Sequence, residues 1–272
     1  MYIVADIGGT RTRIAASRDL ETLGEPVLFD TSQEYEKGIE AIVHAVRTLS
    51  AGETIETMAM SLPGVIVREK RSLFGSNLPE WDGRSIADDL EAALATRVHV
   101  ENDAGLVGLG EAVYGAGAGV SIVMYMTVST GVNAARIIDQ RIDRSVFGSE
   151  TGEQYVLIDA KPMQLGQLIS GKAIAKKYGM KPRELGKDSP VWEELARLTA
   201  FGLYNSIVHW SPERVVLGGS MFNEIGISVE RIAEHVRSIN TKYPQLPEIV
   251  HSKLGEVGGL WGGLAYLKQL KS

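Results

Sequence analysis

The sequence predicts an α/β protein of two similar lobes, and three observations carry that expectation. A strand, a short turn and a second strand, followed by alternating helices and strands, occur in residues 1–114 and again from 120 to 272. The return strands share a pattern, R-T-R-I-A at 11–15 and A-A-R-I-I at 134–138. Between the two runs stands G-A-G-A-G at 115–119, a natural seam. The expected boundaries are a smaller N-terminal lobe, 1–114, completed by a C-terminal helix over 257–272, and a larger lobe, 115–256.

Residues 2–6 and 11–17 read as strands joined by Gly8-Gly9-Thr10, and Val27–Phe29 offers a third. Thr31 and Glu34 have the spacing of a capping box. Behind them Tyr35, Ile39, Ile42, Val43, Val46 and Leu49 form one helical stripe that stops near Gly52. A strand over 57–61 runs into Leu62-Pro63-Gly64, and Ile86, Leu90 and Leu94 mark a helix. Val98–Val100 is a short strand, broken at Asn102-Asp103 before a helix over 104–114. In the second run, strands are expected at 120–128, 133–138 and 215–217, with helices at 164–178, 190–209, 225–238 and 257–271.

Among 272 residues, 34 acidic side chains outnumber 28 basic ones, for a net charge of −6. That argues against a nucleic-acid groove or an anionic membrane as partner, though not against a small phosphorylated ligand. Cysteine is absent, which removes disulfides and thiolate chemistry together. The opening residues read as a strand, and no segment reaches 18 uninterrupted apolar residues, so a cytoplasmic location is expected.

One stretch imitates a phosphate loop: G-Q-L-I-S-G-K-A at 166–173 has alanine where a P-loop needs a hydroxyl. Its Leu165, Leu168 and Ile169 suit a helix face instead. The five histidines are scattered, and His44 beside the apolar stripe reads as structural.

Four other elements admit a chemical role beside a plain one. D-I-G-G-T-R-T-R at 6–13 fits a tight hairpin. It also fits an anion-holding turn, because glycine permits φ > 0 and close approach. In that second reading Thr10 adds a hydroxyl and Asp6 could hold Mg²⁺, directly or through water. Ser129-Thr130-Gly131 repeats the device in the second run, and two such turns facing across a cleft would clamp a polyphosphate. V-V-L-G-G-S at 215–220 is either a strand-to-loop turn or a small-residue seat for a flat ring. Asn102-Asp103 lies where a strand yields to a helix, a place for an N-cap and for a side chain in a cleft alike.

Taken in order, D-I-G-G-T-R-T-R, L-P-G-V at 62–65, N-L-P-E-W at 77–81, E-N-D-A at 101–104, S-T-G-V at 129–132, G-S-E-T-G at 148–152 and L-G-G-S at 217–220 resemble the ROK family. That family of bacterial sugar kinases and sugar-responsive repressors belongs to the actin-like, hexokinase-like ATPase superfamily. The resemblance implies two ribonuclease-H-like lobes around a central cleft and an ATP-dependent sugar kinase that uses Mg²⁺. Asp103 would be the catalytic base. Gly64, Asn77, Asn102, Glu150 and Glu153 would meet the sugar. Asp6, Gly8, Gly9, Thr10, Arg11, Thr130, Gly131, Gly218 and Gly219 would face the nucleotide, with Asp6 the residue toward the metal. The repressor branch carries an N-terminal DNA-binding segment, and a fold that begins at residue 2 points away from it. The resemblance allows a homodimer, since members often form dimers or larger assemblies.

The chain departs from the family pattern in three places. The family's E-x-G-H is E-T-G-E here, with Glu153 in place of a histidine that often joins a cysteine-rich zinc motif; no structural zinc is expected. Glu153 would either recognise an amino sugar's ammonium or pair with a nearby arginine, the preferred reading. Gly166 stands where a glutamate usually precedes the S-G of 170–171, and T-G-V-N-A-A puts Asn133 and Ala135 in place of glycines. These departures leave two alternatives open: a catalytically degenerate sugar or nucleotide sensor, and an enzyme of the same superfold with a different acceptor.

Overall fold

The computed structural model describes residues 1–67, 72–223 and 225–271, so residue 272, included in the expected closing helix, lies outside the described residues. The first part of the chain forms β1 (Tyr2–Ile7), β2 (Arg11–Ser17), β3 (Val27–Asp30), α1 (Tyr35–Ser50), β4 (Thr57–Leu62), the hairpin β5 (Val65–Val67) and β6 (Ser72–Phe74), α2 (Ile86–Leu94), β7 (Arg97–Asn102) and α3 (Asp103–Tyr114). The second part forms β8 (Ile122–Val128), β9 (Val132–Ile138), β10 (Arg141–Ile142), the hairpin β11 (Tyr155–Ile158) and β12 (Lys161–Gln164), α4 (Leu165–Ile169), α5 (Gly171–Tyr178), α6 (Val191–Trp210), β13 (Arg214–Gly218), α7 (Val229–Ile239) and β14 (Glu248–His251). Helix α8 (Gly258–Lys271) closes the chain.

Two compact units result. The first comprises Met1–Tyr114, Arg144–Gly148 and Glu256–Ser272; the second comprises Gly115–Asp143 and Ser149–Gly255. Each holds a mixed five-stranded sheet, β3-β2-β1-β4-β7 in the first and β10-β9-β8-β13-β14 in the second. In both sheets the strand pairs run antiparallel, antiparallel, parallel and parallel in the same order. The repeat in the sequence is therefore a repeat of topology.

Strand β1 is apolar on both faces, as a central strand between helical layers must be. Ile3, Ala5 and Ile7 share one core with α1 and α2, while Tyr2 and Val4 pack with Leu260, Leu264 and Leu267 of α8. Asp6, by the alternation of a strand, falls on the α8 face. That face is tight because α8 lies against α3 through glycines. A Cβ on Gly110 would come 2.6 Å from the Gly258 carbonyl oxygen, one on Gly262 would run into the Leu106 carbonyl, and one on Gly263 would reach the Val4 side chain at 3.1 Å.

Some local expectations do not hold. No capping box forms at α1: Glu34 makes no side-chain cap, and the Thr31 hydroxyl bonds the Thr12 hydroxyl at 2.9 Å, across to β2. The expected helix over 164–178 is two helices, because Ser170 is extended and its Oγ accepts the Ala173 N–H at 3.1 Å to cap α5. Helix α7 starts at Val229 rather than 225, where the Ser228 hydroxyl accepts the Arg231 N–H. Strands β6, β10, β11, β12 and β14 are too short to show a two-residue alternation in sequence. His44 is exposed and lies outside the core.

Candidate active site

In the first unit the predicted residues gather at the carboxyl ends of the parallel strands, where open α/β sheets hold their ligands. Asp6 is the penultimate residue of β1, Gly64 follows β4, and Asn102 and Asp103 end β7 and begin α3. The register places Asp6 beside Ser61 and Ser61 beside Glu101, with Asn102 beside Leu62 one step further. Sequence distance thus collapses because two crossovers bring three parallel strands to the same end of the sheet.

The turn after β1 is a hairpin in which the Gly8 N–H donates to the Arg11 carbonyl at 2.9 Å, leaving Gly9-Thr10 at the tip. Neither Gly8 nor Gly9 has positive φ, so backbone freedom is not why glycine stands there. Close approach is the reason. A Cβ on Gly9 would sit 3.1 Å from the Cβ of Asn77, and one on Gly8 3.2 Å from the Arg11 carbonyl. Asn77 is delivered by N-L-P-E-W, whose Leu78 and Trp81 are fully buried; the Trp81 indole donates to the Ser32 carbonyl at 3.1 Å. Asp82 ties the same loop through the Gly75 N–H at 3.0 Å and the Ser76 hydroxyl at 2.9 Å. A residue expected at the sugar and a turn expected at phosphate are therefore neighbours.

Asn102 supplies the helix cap at α3: its Oδ1 accepts the Gly105 N–H at 3.2 Å, and its Nδ2 donates to the Gly64 carbonyl at 2.9 Å. Gly64 needs its glycine, with φ at +95° and a Cβ that would meet the Phe74 carbonyl at 2.9 Å. Because Asn102 caps, Asp103 does not have to. Asp103 Oδ1 accepts the neighbouring Ala104 N–H at 2.7 Å, and the carboxylate also draws on its own backbone N–H. Its carboxyl is pushed up to about 6, first by burial, with the Asp6 charge adding to the rise and the Ala104 N–H opposing it. Burial also raises Asp6, against the Ser61 hydrogen bond and the charge of Arg13.

Ser61 Oγ donates to Asp6 Oδ1 at 2.5 Å, and the N-terminal turn of α8 walls the same carboxyl: a Cβ on Gly259 would stand 2.6 Å from Asp6 Cγ. Arg13, opposite Asp6 on β2, is paired with Glu256 at 2.6 Å. Among the described residues no three His, Asp or Glu side chains converge as an all-protein metal cage. Mg²⁺ that arrives on phosphates needs only one or two carboxylates and water, and Asp6 fits that modest requirement.

In the second unit Ser129-Thr130-Gly131 turns sharply, the Ser129 N–H donating to the Gly131 carbonyl at 2.8 Å. Gly218-Gly219 lies beside it: Gly219 has φ of +99°, and a Cβ there would come 2.5 Å from the Val128 carbonyl. The P-loop imitation contributes after all, as packing. The Gly171 N–H donates to the Ser129 carbonyl at 2.7 Å, and a Cβ on Gly171 would meet that oxygen at 2.9 Å. Thr130, Gly131, Gly218 and Gly219 thus form one cluster with the start of α5.

Glu150 precedes a short 3-10 turn, Thr151–Glu153, that Glu153 ends, and both are exposed. Glu153 accepts from the Gln164 amide, so the expected arginine pair is replaced by an amide on β12. Asn133 reaches Glu150 Oε1 at 3.5 Å through Nδ2, while its Oδ1 accepts the Thr151 N–H at 3.3 Å. A Cβ on Gly166 would press the Gly152 carbonyl at 3.2 Å. Two of the departures from the family pattern therefore pack against this one segment. Ser61 and Gly259 carry no motif of their own in the sequence, while Asn133 and Gly171 stand there only as parts of motifs. Only the D-I-G-G-T level of β4 could have pointed to Ser61, and only the paired glycines of α8 to Gly259. Two cavities of about 590 and 570 Å³, one along β7 and one beside the starts of α6 and α7, are lined by none of the predicted residues.

Comparison with known proteins gives a consistent picture. The model of the ROK family matches residues 2–270. An N-acetyl-D-glucosamine kinase of Photobacterium profundum is 27% identical over 96% of this chain and 97% of its own length. A ROK family glucokinase from Streptomyces griseus, solved with glucose and AMPPNP, superposes with a TM-score of 0.82 at 26% identity, covering 98% of this chain and 99% of that one. A ROK hexokinase from Thermus thermophilus gives the same TM-score at 25% identity, over 100% and 99%.

Proposed function

The chain belongs to the ROK family, and from that premise we propose that it transfers the γ-phosphoryl group of ATP to a hydroxyl of a hexose or hexose derivative. One observation carries the reading: a half-buried aspartate, Asp103, begins α3 beside Asp6 without serving as the helix cap. A carboxylate at a helix start whose Oδ1 takes only local N–H groups, while Asn102 caps the helix, keeps its other oxygen for proton transfer. The N-acetylglucosamine kinase and the glucose-bound relative support a glucose-like acceptor.

Phosphoryl transfer asks for alignment and charge neutralisation more than for covalent help. Asp103 accepts the proton of the attacking sugar hydroxyl as its oxygen bonds to the γ-phosphorus. The bond from that phosphorus to the β–γ bridging oxygen breaks, and ADP and the sugar phosphate leave. Asn102, held by Gly64, with Asn77, Glu150 and Glu153, would orient sugar hydroxyls. Gly8, Gly9, Thr10 and Arg11 in the first unit and Thr130, Gly131, Gly218 and Gly219 in the second would hold nucleotide. Mg²⁺, when bound through Asp6 or its water, would neutralise the phosphate oxygens.

A second reading, a binder without turnover, is favoured by Asn133 standing in β9 where the family pattern has glycine. The test is ADP release, measured by a coupled assay, across about twenty neutral, amino and N-acetylated hexoses. The kinase reading expects saturable, sugar-dependent turnover with at least one of them. Sugar binding with no ADP release across the panel would leave the binder.

A further inference from the structure

We propose that Ser61 is a positioning residue for the metal-nucleotide chemistry, fixing the Asp6 carboxylate so that Oδ2 is the oxygen offered to the metal or its water. This rests on the kinase reading and deepens it. Ser61 is fully buried on β4, whose remaining residues are apolar except for the partly buried Thr57. Its side chain falls on the same face of the sheet as Ala59, the α8 face, and its hydroxyl donates to Asp6 Oδ1 at 2.5 Å. A buried hydroxyl with one charged partner is costly to place unless that bond forms.

The other side of the carboxyl is closed by α8. Gly259 is the second residue of that helix, and even a methyl group there would land 2.6 Å from Asp6 Cγ and 2.8 Å from Oδ1. A carboxyl free to rotate about its last torsion would exchange its two oxygens. Held by a hydroxyl on one oxygen and backed by a side-chain-free helix turn, it presents the other in one orientation. Preorganised charge of this kind lowers the reorganisation needed on binding.

The experiment compares Ser61→Ala, Ser61→Thr and Ser61→Val with the parent chain, using calorimetry with AMPPNP in the presence and absence of Mg²⁺, alongside melting curves. Thr and Val have the same shape and differ only in the hydroxyl, which separates hydrogen bonding from packing. The expected result is about tenfold weaker Mg-AMPPNP binding in Ser61→Ala and Ser61→Val. Ser61→Thr should stay near the parent, and binding of metal-free AMPPNP and the sugar KM should change less than twofold in all three. Unchanged Mg-AMPPNP affinity in a folded Ser61→Ala protein overturns the proposal, as does equal weakening in Thr and Val. A parent chain that binds no Mg-AMPPNP and phosphorylates no sugar overturns the kinase reading, and this proposal with it.

Discussion

Asp103 combines burial, a neighbouring charge and a helix terminus, and the balance sets its chemistry. Burial and the Asp6 charge lift its carboxyl to about 6, near enough to neutrality for a useful general base. The acid limb of kcat/KM is therefore expected to bend near pH 6, and to vanish from the residual activity of Asp103→Asn. The same shift has a stability consequence. Asp103 binds its proton more tightly folded than unfolded, so its contribution is fully present below the ordinary carboxylate pKa and is lost as pH rises through about 6. Asp103→Asn keeps an acceptor for the Ala104 N–H without the buried charge. It should match the parent's stability near pH 3.5 and exceed it by roughly 1–3 kcal/mol above pH 7, read from urea unfolding at each pH. A variant less stable than the parent at pH 8 would contradict this account of the site's electrostatics.

At the scale of elements, the site depends on where α8 and the 75–82 loop are held. Gly262 lies against the Leu106 carbonyl with no room for a Cβ, so Gly262→Ala must push α8 from α3 and disturb Gly259 beside Asp6. We expect a loss of about 1–3 kcal/mol or more, beyond what alanine's better helix propensity returns, measured by thermal melting. A melting point equal to the parent's would show that the α3–α8 contact is softer than described. The glycines of α8 carried little signal in sequence, since two G-G pairs in an apolar helix say nothing about which backbone they face. The long periodic helices and the central strands were legible, because burial imposes their period. Caps were less so: Thr31 and Glu34 had the right spacing, yet a strand partner, Thr12, claimed the hydroxyl first. The split at Ser170 was hidden likewise, because the apolar positions of α4 and α5 continue across it.

Over the whole molecule, each unit repeats one sheet topology, and each sets its glycine turn after its central strand. The order of seven short motifs exposed that plan, although none of them alone distinguishes a phosphate turn from a hairpin. What sequence could not reveal was the company each motif keeps: Gly9 with Asn77, Gly171 with Ser129, Asn133 with Glu150. The departures from the family pattern at Asn133 and Gly166 both pack on the Glu150–Glu153 segment, so Asn133, expected to bear on phosphate, joins Gly166 beside the residues proposed to meet the sugar. The most direct test of the central claim is the rate of ADP release with the best sugar substrate, parent against Asp103→Asn. If Asp103 is the base, the variant folds, binds sugar and Mg-AMPPNP as the parent does, and turns over about 10²- to 10⁴-fold more slowly. Turnover within a few-fold of the parent would remove Asp103 from the chemistry.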